Sequence, residues 1–178
     1  MKITIIRHGK VNMKWRKLYT SEQFDAACDA YDLSSIYPIN EKADKDVCEK
    51  VYISSSKRTR DTAEQLFGSI ELVETGLLNE VPLKSFWDSK LLLPLWIWNI
   101  LGRIQWLLGN DRQDEVRADT KRRADRLIEE LIQRDNDCIL ITHGFFMKTL
   151  VQRIRKQDFV ISNRKLRFKN LEKVIAEK

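Results

Sequence analysis

Histidine and cysteine, the residues that most often build metal centres and covalent frameworks, are scarce in this chain of 178 residues: two histidines and three cysteines. Cys28, Cys48 and Cys138 are scattered and odd in number, and no Cys-x-x-Cys pair occurs. That pattern excludes a zinc knuckle and a disulfide scaffold. Two histidines without clustered cysteines do not complete a metal site, so neither a metal nor another cofactor is expected. Proline occurs three times and glycine six times, and no repeat, low-complexity tract or linker divides the chain. A single domain over residues 1–178 is the expectation; a hydrophobic content of 43% and a charged content of 33% suit a folded, soluble protein. No apolar leader with a small-residue cleavage site opens the chain, which enters a strand-like run at once. A reduced, cytoplasmic setting is therefore expected.

Charge is present but uneven. The net charge is +6, and Met147–Lys178 alone holds ten Lys or Arg against three Asp or Glu. Such a basic region steers anionic substrates toward a protein, or is a solvated face. The basic residues carry no base-reading motif, so nucleic acid is not an expected partner.

Apolar runs alternate with amphipathic ones. Lys2–Arg7, Val51–Ser54, Ile70–Val73 and Cys138–Thr142 read as strands. Helices are expected after Ser21 as a cap, over 57–67 with Gly68 as a stop, over 111–134, and over Phe145–Arg155. Asn40–Lys50 is a candidate short helix, and Leu166–Phe168 and Lys173–Ala176 are candidate edge strands. The alternation predicts an α/β fold, three layers (α/β/α) around a mostly parallel sheet.

Leu91–Leu108 breaks the rhythm, with Trp96, Trp98 and Trp106 inside it and Trp87 just before. Pro94, Asn99, Gly102, Arg103 and Gln105 interrupt the run, and an Arg inside a single membrane span is costly. The leading reading is a helical, Trp-rich insertion (about 84–110) near the active site, with Trp87, Trp96 and Trp98 as an apolar wall or as core. An interfacial helix giving peripheral membrane contact comes second. An exposed Trp-rich patch would also favour a homodimer.

Both histidines end an apolar run and precede glycine: Ile3-Thr4-Ile5-Ile6-Arg7-His8-Gly9 and Ile139-Leu140-Ile141-Thr142-His143-Gly144. With six glycines in the chain this is a coincidence of roughly one in a thousand. Parallel sheets bind ligands beyond the carboxyl ends of their strands, so the two imidazoles are expected to face each other across one pocket. Glycine after each histidine lets the backbone turn sharply there. With a metal site disfavoured, His8 is a nucleophile or a base. Arg7, in a buried-strand context, implies a carboxylate or an anion as partner. Ser54-Ser55-Ser56 starts a helix whose first turn holds Arg58, a placement opposed to the helix dipole and easier to understand beside an anion.

Together these residues resemble the histidine phosphatase superfamily, which includes the phosphoglycerate mutases and acid phosphatases. The matching features are Arg7-His8-Gly9, the Ser-rich strand end leading to Arg58 and Thr62-Ala63, Leu78-Asn79-Glu80, and Thr142-His143-Gly144, in family order. The resemblance implies a metal-independent hydrolase acting on a small phosphate monoester. His8 would form a phosphohistidine, Arg7, Arg58 and His143 would bind the phosphoryl oxygens, and Glu80 would protonate the leaving oxygen and then help activate water. Asp88 or Glu74 are alternative acids, and phosphohistidine is a substrate that needs none. Lys10 and Arg16 are close enough in sequence to His8 to add anion contacts. The chain departs from the family after the first motif, with Lys10-Val11-Asn12-Met13-Lys14-Trp15, and lacks a Leu-Thr-x-x-Gly-x-x-Gln stretch. The alternative functions are a phosphoglycerate mutase-type phosphotransferase, a protein phosphohistidine phosphatase, and a non-catalytic anion- or membrane-binding module.

Overall fold

The computed structural model describes residues 1–40, 50–162 and 168–178. Its strands are β1 (Lys2–Arg7), β2 (Leu18–Tyr19), β3 (Lys50–Ile53), β4 (Glu71–Glu74), β5 (Leu93–Pro94), β6 (Cys138–Thr142), β7 (Val160–Ile161) and β8 (Lys173–Glu177). Its helices are α1 (Ser21–Leu33), α2 (Lys57–Phe67), α3 (Leu95–Leu108), α4 (Arg117–Arg134) and α5 (Gly144–Ile154). Six strands form one sheet in the order β4-β3-β6-β1-β8-β7. The first four run parallel; β8 is antiparallel to β1, and β7 to β8. The fold is thus the expected three-layer α/β/α arrangement.

The layers follow from strand alternation. Ile3, Ile5 and Leu140 point to one face, where they pack with Leu127 and Leu131 of α4 and Phe146 and Leu150 of α5. Ile6, Ile139 and Ile141 point to the other, against Ala63, Leu66 and Phe67 of α2. Burial on both faces is why β1 and β6 read as unbroken apolar runs. A third, smaller cluster lies outside the sheet: Tyr19, Phe24 and Trp98 join α1 to α3, with Phe24 and Trp98 stacked at 5.7 Å.

Some boundaries differ from the sequence reading. Helix α1 is capped by Thr20, not Ser21: Thr20 Oγ1 accepts from Gln23 N (3.3 Å), and Gln23 Oε1 accepts from Thr20 N (3.2 Å). Helix α4 starts at Arg117 rather than 111, because the Asp119 carboxylate turns back to accept from Val116 N at 3.2 Å and closes the first turn there. β4 is Glu71–Glu74, one residue later than expected. Most of Asn40–Lys50, and Leu166 with Arg167, lie outside the described residues; Phe168 is described and is not in a strand.

Candidate active site

Strand order explains how residues 135 positions apart meet. β1 and β6 are parallel neighbours with Arg7 opposite Thr142. The next residues, His8 and His143, therefore leave the sheet side by side, with ring centroids 5.1 Å apart and planes tilted by 57°. β3 flanks β6 on the other side with Ile53 opposite Ile141, which delivers Ser54 and then Arg58, in the first turn of α2, to the same strand ends.

The two imidazoles are held as different tautomers. His8 Nδ1 lies 2.7 Å from Gly9 O and donates to it, and no protein group among the described residues hydrogen-bonds Nε2. His8 therefore carries its lone pair on Nε2. Burial, followed by the charges of Arg58 and Arg7, lowers its pKa to about 3 against the opposing Gly9 bond. His143 is reversed. Its Nδ1 accepts from Arg58 Nε at 3.0 Å, so its proton is on Nε2, which donates to Ser54 Oγ at 2.8 Å. Burial and then Arg58 hold its pKa well below 6.5. Both rings are neutral at physiological pH.

The cationic groups are poised differently. Arg58 is fully buried; its Nη1 donates to Asp32 Oδ1 at 2.8 Å, and its guanidinium lies 5.1 Å from the Tyr31 ring centroid. Thr62 fastens α2 to the histidine loop: its Oγ1 donates to Arg58 O (2.6 Å) and accepts from Gly9 N (2.9 Å). Arg7 Nη1 donates to Phe168 O at 2.5 Å. Arg7 Nε is buried with no hydrogen-bond partner, and among the described residues no carboxylate pairs with Arg7. Leaving such a donor unmade costs about 1–3 kcal/mol, which a bound oxyanion would recover.

The glycine after each histidine has a different cause from the one expected. Neither Gly9 nor Gly144 has a positive φ. At Gly144 a Cβ would lie 2.8 Å from Arg7 Nε and 2.9 Å from its Cζ, so the space belongs to the guanidinium. Asn170 Nδ2 donates to His8 O (2.9 Å), and Leu171 N donates to Arg7 O (2.9 Å), with Leu171 at φ 62°. This turn, which wraps the end of β1, has no signal in the sequence.

Glu80 follows a 3-10 turn, Gly76–Leu78, anchored where Thr142 Oγ1 donates to Leu78 O at 2.8 Å. Its carboxylate accepts from Phe145 N (3.2 Å), Phe146 N (2.8 Å) and Val81 N (3.0 Å). The first two are free N–H groups at the start of α5, so Glu80 serves as the cap that His143 does not provide. Glu80, Asn99 and Arg103 line two adjoining cavities. One, of about 570 Å³, also holds Arg58, Tyr31 and Trp15; the other, of about 940 Å³, also holds Arg7 and Lys148.

Arg103 is the functional candidate that sequence reasoning missed. It projects from α3, donates to Pro82 O and Val81 O (both 3.0 Å), and stacks 3.8 Å from the Phe145 ring centroid. Burial lowers its pKa, and the Glu80 charge opposes that shift. A charge inside an apolar run was the available signal.

Other candidates lie elsewhere. Lys10 sits over the Tyr37 ring and Arg16 is exposed; neither lines the two cavities, and His8 and His143 do not line them either. Asp88 pairs with Arg112 and Glu74 with Arg60, both at the surface. Trp87, Trp96 and Trp98 form no wall: Trp98 is buried core, Trp96 is exposed because the inward face of α3 is spaced as Trp98, Gly102 and Trp106, and Trp87, ahead of the helix, is exposed as well. Cys28 lines the smaller cavity, but burial and then Asp25 push its thiol up to about 12, leaving no thiolate nucleophile. Among the described residues no three His, Cys, Asp or Glu side chains cluster as metal ligands.

Residues 3–172 match the family model described as histidine phosphatase superfamily (branch 1). No curated protein matches the chain. Similar solved structures include a phosphoserine phosphatase from Entamoeba histolytica in complex with 3-phosphoglyceric acid (16% identity, 98% of this chain and 89% of that one, TM-score 0.59). They also include a mycobacterial glucosyl-3-phosphoglycerate phosphatase (16% identity, 98% and 88%, TM-score 0.58). At this identity the likeness is one of fold.

Proposed function

Because the chain belongs to the histidine phosphatase superfamily and is a phosphatase of that kind, we propose that it hydrolyses a small phosphate monoester through a phosphoryl group carried on His8 Nε2. One observation carries this reading: the Gly9 carbonyl accepts from His8 Nδ1–H, so the free lone pair of His8 is on Nε2, on a ring beside a second neutral imidazole and within reach of the charges of Arg58 and Arg7. The donor set favours an anion over a metal, since it is dominated by guanidinium groups. Residues 1–178 act as one catalytic unit, with segment 84–110 contributing Asn99 and Arg103 to its mouth.

In the first half-reaction, Nε2 attacks phosphorus and the bond from phosphorus to the leaving oxygen breaks. Arg7 Nε and the Arg58 guanidinium neutralise the equatorial oxygens. For Arg58 this means exchanging Asp32 for the phosphoryl group. His143 aims Arg58 through Nδ1, and its Nε2–H exchanges Ser54 Oγ for a phosphoryl oxygen. Glu80 passes a proton to the leaving alkoxide. In the second half-reaction water attacks phosphorus, the bond from Nε2 to phosphorus breaks, and Glu80 takes the water proton, which leaves inorganic phosphate and neutral His8.

The role of Glu80 is separable by leaving group. Glu80→Gln is expected to lower kcat/KM for an alkyl phosphate by about 10²–10⁴, and for an aryl phosphate, whose phenolate leaves without a proton, by less than about tenfold. Equal losses on both substrates would remove Glu80 as the acid and leave it as the cap of α5.

A further inference from the structure

Helix α3 is apolar on both sides. Trp98, Gly102 and Trp106 are buried, while Trp96 (62% exposed), Ile100 (50%), Ile104 (43%), Leu107 (47%) and Leu108 (77%) face outward. Steps of four, four, three and one place these five in one stripe. The single polar residue exposed on the helix is Asn99, and it lines both cavities that Glu80 and Arg103 share. Leu91 and Leu92, just before β5, and Leu18, paired with Pro94, are exposed as well. A surface helix normally turns charge outward; a continuous apolar stripe of this size marks a docking face.

The rim indicates what covers it. Arg16 and Lys17 share a shallow groove with Trp96 and Ile100. At the other end, Arg117 and Lys121 share a depression with Leu107 and Leu108. Among the described residues none of these four cations has a carboxylate partner, whereas Asp125 pairs with Arg153 and Asp119 with Arg122. A second copy of the chain fits poorly. Packing α3 against its symmetry mate sets basic end on basic end, whether the helices run parallel or antiparallel. An anionic lipid surface matches both features. No described helix is long and apolar enough to cross a membrane, and the 14 residues of α3 reach about 21 Å against a hydrocarbon core of about 30 Å. Such a helix lies in the interface, where tryptophan is favoured and each basic residue adds attraction.

We propose that α3 docks flat on an anionic membrane surface, with Trp96, Ile100, Ile104, Leu107 and Leu108 at the acyl boundary and Arg16, Lys17, Arg117 and Lys121 on the headgroups. Asn99 belongs to both surfaces, so docking sets the cavity lined by Arg7 and Glu80 beside the headgroup layer.

The test is co-sedimentation of the full chain with phosphatidylcholine vesicles, with and without about one third phosphatidylglycerol. The wild type is expected to bind the anionic vesicles at least about tenfold more tightly than the neutral ones, and less as salt rises. The double variants Trp96→Glu/Leu108→Glu and Lys17→Glu/Arg117→Glu are each expected to weaken that binding by about tenfold or more. Unchanged hydrolysis of a soluble aryl phosphate shows that both stay folded. The proposal is overturned if the wild type ignores anionic vesicles, or if neither double variant changes binding. A wild-type dimer that Trp96→Glu/Leu108→Glu splits, without vesicle binding, also overturns it by assigning the face to a second copy.

Discussion

Replacing His8 with alanine is expected to abolish turnover of phosphate monoesters, by roughly 10⁴-fold or more, while the chain stays folded. The size of the loss follows from the absence of a substitute. His143 is the other imidazole at the site, and its Nδ1 is engaged by Arg58 and its Nε2 by Ser54. The Cys28 thiol is pushed up to about 12 and supplies no thiolate. The fold survives because the side chain removed is neutral and makes one hydrogen bond, to its neighbour's carbonyl. Filling its space imperfectly costs about 2 kcal/mol, within the 5–15 kcal/mol of an ordinary domain. Circular dichroism alongside a phosphate-release assay checks both halves. A variant that retains a tenth of wild-type activity excludes a covalent intermediate on His8, and one that fails to fold assigns the residue to the core.

The second large effect is on stability in acid. Both histidines are neutral in the folded protein, His8 down to about pH 3 and His143 to well below its ordinary 6.5. In the unfolded chain each takes a proton as pH falls through 6.5. The unfolded state then binds more protons, so stability rises with pH in that window. The His8 contribution is complete above pH 6.5 and is lost progressively toward pH 3, and that of His143 falls in the same direction. For His8 this changes stability by about 1.4 kcal/mol per pH unit, roughly 2.5 kcal/mol between pH 6 and 4, and His143 acts in the same direction. Denaturant unfolding at several pH values should therefore show a steep acid loss in the wild type. His8→Asn should make the slope shallower by about 1.4 kcal/mol per pH unit, while burial and Arg58 still hold the His143 pKa down. Equal slopes in the two proteins would mean that folded His8 takes up its proton over this range, with its pKa not lowered. In the same range kcat/KM should show no limb belonging to His8, because the nucleophile stays unprotonated.

How much was legible beforehand divides along physical lines. β1 and β6 are buried on both faces, so they stand out as apolar runs, and Arg7, His8 and His143 are recognisable by their place at the run ends. Arg58 is conspicuous because it opposes its own helix dipole. Features that depend on where segments meet are not legible. β2 and β5, of two residues each, are too short to show a period. The capping of α5 by Glu80 requires the Gly76–Leu78 turn to meet a helix more than sixty residues away. The ion pair of Arg58 with Asp32 joins a buried cation to an exposed residue near the end of α1, which no local pattern marks. Arg103 was hidden by its surroundings: within an apolar run it reads as an interruption, whereas its charge is taken up by the Val81 and Pro82 carbonyls and by Glu80. The glycine at 144 was noticed for a backbone reason and is required for a side-chain one, the room taken by Arg7.

The most direct measurement is to mix the protein with a radiolabelled aryl phosphate, quench within one turnover in alkali, where phosphohistidine persists, and locate the label. The account predicts one phosphoryl group per chain, acid-labile, on Nε2 of His8, and none on His8→Ala. Label on any other residue, or full turnover with no labelled protein at any time point, would contradict it.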